Sequence, residues 1–549
     1  MGLFGPPATL FGKPVAMPEL STVNTRTNPA TVTFAREYNA AFDLLERNLQ
    51  AGRTQKTAFI DDAGSYTYGE LATRARQFAN AITTLGVEPE QRVLLCLLDS
   101  IDWPVAFLGC ILAGVVPVAA NTLLTTDDYD YLLRDSRAKA LIVSAPLWSK
   151  FAPLAGTVPS WRHTVISGEP DNPAPAHGLS LAALCAQAPD TFTPAPTSPD
   201  EPCFWLYSSG STGAPKGTVH IHSSLINSAE LYARPVLALR EDDLVFSAAK
   251  LFFAYGLGNA LTFPMAAGAT TLLMAERAMP QSVFERLQAH QPTIFYGVPT
   301  LFAALLASPA LPQRGTLRMR LCTSAGEALP ADIGRRWTEH FGVEILDGIG
   351  STEMLHIFLS NRSGRVRYGT TGQPVGGYEM RIVDEQGQGV PVGEVGELQV
   401  SGPTAAIGYW NNREKSRDTF RGPWTRSGDK YSVDADGYYT YAGRTDDMLK
   451  VGGIYVSPIE VESSLITHPA VLEAAVIGRA DEARLVKPQA FVVLRAGQVG
   501  SDALAAELQQ HVKSALAPYK YPRWIEFIDE LPKTATGKIQ RFKLRAQVS

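Results

Sequence analysis

Cysteine is scarce in this chain, and the few thiols present form no pattern. The 549 residues include five cysteines, an odd number, at widely separated positions. A disulfide framework would use an even number, and a metal site would need short spacings between its ligands. The sequence therefore predicts free thiols in a reducing compartment, with the cytoplasm as the best fit. The cysteines are Cys96, Cys110, Cys185, Cys203 and Cys322.

A long unbroken hydrophobic run is also missing. The most membrane-like stretch, Trp103 to Ala120, contains two prolines and a central glycine, and it is too short and too broken to span a bilayer. It instead predicts a buried helix ending near Gly114, followed by a buried strand from Val115 to Ala119. Residues 1–28 hold no basic segment followed by an apolar run, so we expect neither a signal nor a transit peptide.

An excess of positive charge is absent as well. The chain has 49 Lys and Arg residues against 54 Asp and Glu residues, for a formal net charge of -5. This balance gives no basic footprint for nucleic acids or anionic membranes, so any anionic ligand must be bound locally. Because 45% of the residues are hydrophobic and the chain is several times the common domain size, we expect more than one domain.

The order of apolar patterns predicts a layered α/β fold. An amphipathic run from Tyr68 to Leu85 is followed by short β-like runs at Val93 to Leu98 and Ala140 to Val143. A Pro/Ala/Ser/Thr-rich stretch from Gly168 to Pro202 is expected to join two lobes of one large domain. Beyond Pro374 the pattern changes to β-turn-β, which predicts a β-rich lobe.

A compact α+β segment is predicted from about Asp446 onward. Strands are expected at Ala474 to Gly478 and Gln489 to Leu494, and a helix at Asp502 to Leu516, capped near Ser501. The sequence thus predicts a large domain over residues 1–443 and a small one over residues 444–549.

The most informative stretch is Tyr207-Ser-Ser-Gly-Ser-Thr-Gly-Ala-Pro-Lys-Gly217, directly after a β-like run. Small residues allow backbone N–H groups to close on phosphate oxygens, hydroxyls add donors, and the lysine adds charge. The spacing is not that of the common P-loop. A plain Ser/Gly linker would need neither the preceding strand nor the Pro-Lys-Gly ending. The predicted phosphate ligands are Ser208, Ser209, Gly210, Ser211, Thr212, Gly213 and Lys216.

This segment resembles the signature phosphate loop of the adenylate-forming superfamily, which includes acyl-CoA synthetases, adenylation domains of nonribosomal peptide synthetases, and luciferase. Further matching motifs follow in the family's order. The resemblance implies a large N-terminal domain, made of two α/β lobes and a β-rich lobe, and a small mobile α+β C-terminal domain. It also implies ATP and coenzyme A as co-substrates, and Mg²⁺.

Gly350-Ser-Thr-Glu353 is similar to the family's Gly-x-Thr-Glu motif. The resemblance implies that Thr352 meets the AMP phosphate and that Glu353 holds Mg²⁺ against the triphosphate, as a hard oxygen ligand can. Taken alone, a Thr-Glu pair is more often a helix start. The family usually has tyrosine before the glycine. This chain has Ile349, so adenine is expected to pack against an aliphatic side chain.

Ser427-Gly-Asp429 resembles the motif whose carboxylate accepts both ribose hydroxyls, and Arg444 matches an arginine that reaches the nucleotide. A turn aspartate and a surface arginine are the alternatives. The same resemblance implies nucleotide contacts from Gly326, Glu327 and Asp347.

The segment from Arg444 to Gly453 resembles the family's hinge and the loop after it. The resemblance implies rotation about Asp446 between two half-reactions, with Lys450, Gly452 and Gly453 on the coenzyme A side. A simple Gly-Gly turn is equally compatible.

Pro532-Lys-Thr-Ala-Thr-Gly-Lys538 is similar to the family's C-terminal lysine motif. The resemblance implies that Lys538 bridges the carboxylate and the α-phosphate as charge builds. A lysine near a terminus is otherwise simply solvated.

Leu251-Phe-Phe-Ala-Tyr-Gly256 matches an aromatic motif beside the family's acyl pocket. Amino-acid-activating relatives place an aspartate where this chain has Ala254, so a substrate ammonium would stay unpaired. Small residues and rings together suit a flat, neutral aromatic acid. His356 fits a core histidine as well. The predicted pocket residues are Ala254, Tyr255, Gly256, Ala325, Gly350, His356 and Ile357.

The whole pattern most resembles that of benzoate-CoA ligases. It predicts an ATP-dependent ligase that converts an aromatic acid, with benzoate as the best fit, to its CoA thioester through an acyl-AMP, releasing AMP and pyrophosphate. Alternatives are a medium-chain or substituted aryl acyl-CoA synthetase, a stand-alone carrier-protein-loading enzyme, a luciferase-like oxygenase, and an inert adenylate-binding protein. The last would lack Lys538, Glu353 or Asp429, and all three are present. The resemblance implies a homodimer, and it implies that a lysine acetyltransferase could modify Lys538. Neither nucleic acid nor a membrane is expected as a partner.

Overall fold

The computed structural model describes residues 17–169, 178–208, 214–445, 447–451, 454–482, 485–533 and 539–548. These residues form an α/β fold with a large N-terminal part and a small C-terminal part, as the sequence predicts.

The first large sheet is mixed, with a parallel centre. Strand Arg92–Cys96 lies between Val116–Ala119 and Ala140–Ser144 and pairs with both in parallel. The predicted helix and strand in the apolar stretch are confirmed at Asp102–Leu112 and Val116–Ala119. In spatial order the strands are Gly408–Tyr409, Lys216–Ile221, Pro202–Ser208, Val116–Ala119, Arg92–Cys96, Ala140–Ser144, His163–Ser167 and Gly178–Ser180.

The second large sheet is also mixed. Two of its strands, Thr57–Asp61 and Gly64–Thr67, precede the whole first sheet in the sequence. Its central strands run parallel, and the chain reverses direction at Ile345–Gly350, which pairs with Ile357–Ser360 antiparallel. In spatial order the strands are Gln373–Pro374, Ile357–Ser360, Ile345–Gly350, Leu321–Ser324, Ile294–Gly297, Leu244–Ser247, Thr270–Leu272, Thr57–Asp61 and Gly64–Thr67. A separate short ribbon pairs Thr22–Asn24 with Thr31–Thr33.

Several helices of the N-terminal part begin after a residue whose side chain caps them. The predicted amphipathic run forms helix Tyr68–Thr84, where the Thr67 hydroxyl accepts from the Glu70 N–H and the Glu70 carboxylate accepts from the Thr67 N–H. The N-terminal part contains α-helices Ala40–Gln50, Tyr68–Thr84, Asp102–Leu112, Thr126–Ser136, Trp148–Phe151, Leu181–Gln187, His222–Ser228, Ala254–Leu257, Phe263–Ala267, Pro280–His290, Pro299–Ala307, Ala331–Phe341 and Arg413–Thr419. Two π-helical segments, Ala229–Ala233 and Gly258–Thr262, extend the helices before them, and 3₁₀ turns lie at Ala145–Leu147, Ala152–Leu154 and Thr352–Met354.

The predicted β-rich lobe is confirmed after residue 374. Strand Trp424–Val433 is its centre and pairs with neighbours on both edges. The strands are Glu379–Val383, Gly396–Ser401, Trp424–Val433, Phe420–Arg421 and Tyr439–Arg444.

The C-terminal part has its own sheet and helices. Strands Val471–Ala480 and Val486–Leu494 contain the predicted β segments, and Asp502–Ala515 is the predicted helix, with the Ser501 hydroxyl accepting from the Leu504 N–H. The remaining elements are strands Leu449–Val451, Ile454–Val456 and Trp524–Phe527, helices Pro458–Ile466 and Arg541–Val548, and the 3₁₀ turn Pro518–Lys520.

The buried apolar residues of the C-terminal part pack among themselves. Its main cluster runs from Leu449 to Val512 in sequence and includes no residue of the larger part. The last strand of the β-rich lobe ends at Arg444. A division at 443/444 and a pivot at Asp446 stay predictions.

The cysteine prediction is confirmed where the structure can test it: the described cysteines are free and buried. No helix among the described residues is both long and apolar enough to cross a membrane.

Candidate active site

The predicted phosphate segment connects two antiparallel strands. Strand Pro202–Ser208 pairs with Lys216–Ile221, and the last residue of the first, Ser208, lies opposite Lys216. Both polar side chains therefore stand at the same end of the hairpin. The predicted ligands between them lie outside the described residues; they are Ser209, Gly210, Ser211, Thr212 and Gly213.

Glu353 lies against this hairpin end. Its Oε1 accepts hydrogen bonds from the Ser208 hydroxyl at 3.2 Å and from the Tyr409 hydroxyl at 2.8 Å. The Lys216 ammonium lies 4.8 Å from the centre of the Tyr409 ring. The structure thus gathers a carboxylate, two hydroxyls and an ammonium around one position. The hairpin, Glu353 and Tyr409 come from three distant parts of the chain.

Burial lowers the pKa of Lys216, and the nearby carboxylate of Glu353 partly restores it. A partly desolvated ammonium interacts more strongly with a phosphate than a fully hydrated one does. This position is suited to an anionic ligand bound at the hairpin end.

Thr352 and Glu353 begin a 3₁₀ turn, which confirms that this pair starts a helical turn; their roles toward the nucleotide stay predictions. The Ser351 hydroxyl caps the turn by accepting from the Met354 N–H at 3.2 Å. The Nε2–H of His220 donates to the Thr352 carbonyl at 2.7 Å. Burial lowers the pKa of His220 to about 4, so the ring is neutral near pH 7 and the carbonyl fixes its tautomer.

Asp429 and Arg444 form an ion pair in the β-rich lobe. Arg444 Nη1 lies 3.0 Å from Asp429 Oδ1, and the Asp429 charge raises the pKa of Arg444. The Asp429 N–H donates to the Ser427 hydroxyl at 3.1 Å, which fixes the turn. Gly428 between them has φ +73°, and a Cβ there would lie 2.8 Å from Arg444 Nη2. Only glycine fits this turn without moving the arginine.

Two parallel strands deliver further predicted nucleotide residues. Strands Leu321–Ser324 and Ile345–Gly350 pair in parallel with Ser324 opposite Asp347, so Gly326, Glu327 and Asp347 share the carboxyl edge of the sheet. Ligands of open α/β sheets bind at such edges. Burial raises the pKa of Asp347, and its Oδ1 has no hydrogen-bond partner within the described ranges.

Ile349 and Gly350 lie at the end of that same strand. Ile349 is half-buried against the main core and pairs with Leu359, while Gly350 pairs with Ile357 after a register shift. A Cβ at Gly350 would lie 2.4 Å from the His356 carbonyl oxygen.

Several of the residues predicted for the acid pocket lie together around Tyr255 and His356. The Tyr255 and Thr323 hydroxyls are 2.5 Å apart, and the His356 Nε2–H donates to the Tyr255 carbonyl at 3.2 Å. The His356 ring packs edge-on against Phe263, with ring centres 4.4 Å apart, and lies 5.5 Å from the Tyr232 ring. His356 is therefore surrounded by aromatic rings.

His356 is both a buried core residue and a neighbour of the predicted pocket residues. Burial lowers its pKa to about 3, so the ring carries no charge near pH 7. A Cβ on Gly258 would lie 2.3 Å from the imidazole, which shows how closely the helix approaches it. Ala325 and Ile357 are buried nearby, and Ala254 begins the short helix that carries Tyr255.

Several predicted residues are not placed. Asp446, Gly452, Gly453 and Lys538 lie outside the described residues. Of Lys450 only the backbone is described, in strand Leu449–Val451.

Sequence reasoning missed Tyr409 and His220, which support Glu353 and Thr352. It also missed Tyr232 and Thr323, which contact His356 and Tyr255. No local pattern marks these residues, because their proximity to the site depends on pairing between strands far apart in sequence.

The donor set suits a magnesium ion shared with phosphates. In the parts of the chain that are described, no group of three or more His, Cys, Asp or Glu side chains could hold a metal. Mg²⁺ is commonly bound by one or two carboxylates with substrate phosphates and water. Glu353, beside Lys216 and Ser208, provides one such carboxylate.

Comparison with protein families gives two matches. Residues 45–410 match the AMP-binding enzyme family, and residues 460–538 match the AMP-binding enzyme C-terminal domain.

Individual relatives cover nearly the whole chain. The benzoate–CoA ligase of Thauera aromatica is 63% identical over 529 residues, which is 96% of this chain and 99% of the relative. The 4-hydroxybenzoate–CoA/benzoate–CoA ligase of Rhodopseudomonas palustris is 51% identical and covers 93% of this chain and 94% of its own length.

Two solved structures also match this chain over nearly its whole length. A benzoate CoA ligase from Burkholderia xenovorans LB400 superposes with a TM-score of 0.86 at 57% identity, covering 92% of this chain and all of that one. An anthranilate CoA ligase in complex with anthranoyl-AMP gives a TM-score of 0.90 at 47% identity, covering 94% of this chain and 98% of that one.

Proposed function

Because the chain belongs to the AMP-binding enzyme family, we propose that it is an ATP-dependent ligase that converts benzoate to benzoyl-CoA through benzoyl-AMP, releasing AMP and pyrophosphate. The observation that carries this proposal is the continuity of two sites. Gly350 lies close against the backbone of His356, which the proposal places at the acid pocket, and Glu353, on the same short segment, lies at the phosphate hairpin. A carboxylate held by the pocket would therefore face a nucleotide phosphate.

In the first half-reaction a benzoate oxygen attacks the α-phosphorus of ATP, and the bond to pyrophosphate breaks. The protein's part is to position the reactants and to neutralise charge. Lys216, Thr352 and Lys538 would stabilise the charge that builds on the phosphate oxygens. Asp429 would accept hydrogen bonds from the ribose hydroxyls, with Arg444 beside it.

Mg²⁺ would be held by Glu353 together with the ATP phosphates, where it supplies charge neutralisation. Ser208 and Tyr409 fix the orientation of this carboxylate, because both donate to its Oε1. Both of these hydrogen bonds from described residues go to Oε1 rather than to Oε2.

In the second half-reaction the thiolate of coenzyme A attacks the acyl carbonyl, and AMP leaves. Rotation about Asp446 would withdraw Lys538 and bring Lys450, Gly452 and Gly453 to the thiol. The rotation would therefore separate the two chemical steps and fix their order.

The choice of an aromatic acid rests on the charge and shape of the pocket. The aspartate that would pair with an amino-acid ammonium is replaced by Ala254, and the low pKa of His356 leaves its imidazole uncharged. Tyr255 is half-buried and would offer its ring to a flat substrate, while His356 and Phe263 are buried rings in the cluster that supports it. A neutral ring is favoured over a charged or long flexible tail.

AMP release that depends on ATP and coenzyme A tests the substrate. The panel is benzoate, 2-aminobenzoate, 4-hydroxybenzoate, phenylacetate, hexanoate and phenylalanine at one fixed concentration. We expect benzoate to lead by about tenfold, or about 1.4 kcal/mol of discrimination. A lead by hexanoate would refute the aromatic pocket, and absence of turnover with every acid would refute the proposed activity.

We further propose that the enzyme works in the cytoplasm and as a homodimer. Light scattering coupled to size-exclusion chromatography tests the dimer, and a monomer mass would reject it. Acetylation of Lys538 by a lysine acetyltransferase would remove its charge and stop adenylation. Mass spectrometry of the inactivated protein tests that modification.

A further inference from the structure

Helix Thr126–Ser136 contacts the strand that carries Lys216. The Tyr131 hydroxyl, on the second half of this helix, donates to the Pro215 carbonyl at 3.0 Å. Pro215 directly precedes Lys216, so its carbonyl and the Lys216 nitrogen belong to one planar peptide group. A hydrogen bond to that carbonyl therefore also orients the backbone of the lysine.

Asp135 binds the other strand of the same hairpin. It lies four residues after Tyr131, so the two side chains share one face of the helix. The Asp135 carboxylate accepts from the Tyr207 hydroxyl at 2.7 Å, and Tyr207 lies opposite Gly217 in the hairpin. Burial raises the pKa of Tyr207, so the hydroxyl keeps its proton for this bond. One helix face thus holds both strands, each beside the end where Lys216 stands.

Trp410 joins the helix end to the hairpin a third time. Its backbone N–H donates to the Gly217 carbonyl at 2.8 Å, and its indole N–H donates to the Asp135 carbonyl at 2.9 Å. The last carbonyls of a helix have no partner within it, so this indole satisfies one of them. A carboxylate in the last turn is unfavourable in the helix dipole. Asp135 therefore contributes less to the helix than to the hairpin that it binds.

From this geometry we propose that Tyr131 and Asp135 are positioning residues for Lys216. They act through the backbone of the hairpin and set the place from which the lysine ammonium reaches a nucleotide phosphate. A lysine ammonium stands on a flexible four-carbon stem, so its placement depends on a fixed backbone, and stabilisation of charge depends on groups held in place beforehand. The inference rests on the proposed function, because it uses the role given there to Lys216.

Steady-state kinetics of the full chain test the role of Tyr131. Tyr131→Phe removes one hydroxyl and keeps the ring. We expect the KM for ATP to rise by about fivefold, as for the loss of one hydrogen bond, and the KM for coenzyme A to stay unchanged. A mere loss of folded protein would lower kcat and move neither KM. Tyr438→Phe is the control, because its hydroxyl also donates to a backbone carbonyl, at 3.2 Å. An equal rise in both variants would overturn the role of Tyr131.

Asp135 is tested by two substitutions that differ in one respect. Asp135→Ala loses the acceptor and should raise the KM for ATP by about fivefold. Asp135→Asn keeps an acceptor oxygen for Tyr207 and should restore the unmodified KM. Asp130→Ala removes a carboxylate from the same helix that pairs with Arg134, and it should change no KM. If Asp135→Asn were as impaired as Asp135→Ala, the hydrogen-bond basis of the role would be wrong.

A double-mutant cycle with Lys216→Ala shows whether Tyr131 acts through the lysine. Lys216→Ala alone should raise the KM for ATP by about tenfold or more, and adding Tyr131→Phe should raise it no further. Independent, additive effects would overturn the positioning role, as would a raised KM in Lys216→Ala beside an unchanged one in Tyr131→Phe. If Lys216→Ala itself leaves the KM for ATP unchanged, the role proposed for Lys216 fails, and the positioning role fails with it.

Discussion

At the scale of single residues, the site is built from groups whose charge is set by burial. Burial lowers the pKa of His220 to about 4, and those of His222 and His356 to about 3. Each ring is therefore neutral near pH 7. The hydrogen bond made by His222 requires this neutral form, because its Nδ1 accepts from the Ala40 N–H at 3.1 Å. These histidines position backbone; they are not poised for proton transfer.

The lowered pKa of His222 predicts a specific pH dependence of stability. Between pH 6.5 and about 3 the unfolded state binds a proton at this ring and the folded state does not. The stability contributed by His222 is therefore complete above pH 6.5 and decreases by about 1 kcal/mol per pH unit below it. Between pH 7.5 and 5.5 the free energy of unfolding of the unmodified protein should fall by about 1 kcal/mol more than that of His222→Gln. Urea unfolding at the two pH values measures both changes.

The variant must be compared with the unmodified protein, because other buried groups also change the pH dependence of stability. Burial also raises the pKa of Asp99 to about 6 and raises that of Asp347, and both carboxyls add stability as the pH falls. Their contribution is common to both proteins and cancels. An unchanged pH dependence in His222→Gln would contradict the assignment of a buried neutral ring.

Tyr409 allows a second test at this scale. Tyr409→Phe keeps the ring beneath the Lys216 ammonium but removes the hydroxyl that donates to Glu353. Loss of a hydrogen bond to a charged group costs about 1.5–3 kcal/mol. We expect kcat/KM for ATP to fall by about tenfold. The matched control is Tyr438→Phe, whose hydroxyl bonds an exposed carbonyl and whose loss should leave the kinetics unchanged; equal effects in both variants would contradict the role of Tyr409.

At the scale of elements, the pocket depends on a tight turn before its aromatic helix. The Asp99 carboxylate is buried and accepts from the Leu251 N–H at 3.2 Å, and the Lys250 ammonium donates to the Glu276 carbonyl at 2.6 Å. The Phe253 N–H donates to the Lys250 carbonyl at 3.0 Å, closing the turn. A Cβ on Gly256 would lie 2.0 Å from that same carbonyl oxygen. The short helix bearing Tyr255 can lie where it does because residue 256 is glycine.

Gly256→Ala should therefore displace the aromatic helix. We expect the KM for benzoate to rise by about tenfold or more with a smaller change in the KM for ATP, as measured by steady-state kinetics. Gly389→Ala is the matched control, because a Cβ there meets nothing within 4 Å. If Gly256→Ala left both KM values unchanged, the turn would not control the acid pocket.

Elements with strong local signals could be predicted from sequence. The Thr67 and Glu70 capping pair marks the start of a long helix, and Ser501 marks another. Strand pairing could not be predicted in this way. Strand Gly408–Tyr409 joins the edge of the first sheet almost two hundred residues after its neighbour Lys216–Ile221, and no local pattern announces that partnership.

At the scale of the whole molecule, the site is a junction of lobes. Ser208 and Lys216 come from the first sheet, Glu353 from a 3₁₀ turn between two strands of the second, and Asp429 from the β-rich lobe. These residues could be predicted from the sequence alone, because each belongs to a short, continuous motif. The supporting residues Tyr409, His220 and Tyr232 stayed hidden because only tertiary packing brings them there.

The adenylate mechanism is tested most directly by running the first half-reaction without coenzyme A and then adding coenzyme A. Enzyme, ATP and benzoate are mixed without coenzyme A, and benzoyl-AMP and pyrophosphate are quantified by mass spectrometry after acid quenching. We predict one equivalent of each per active site, followed on addition of coenzyme A by equal amounts of benzoyl-CoA and AMP. Formation of benzoyl-CoA without prior benzoyl-AMP, or release of ADP and phosphate, would contradict the adenylate mechanism.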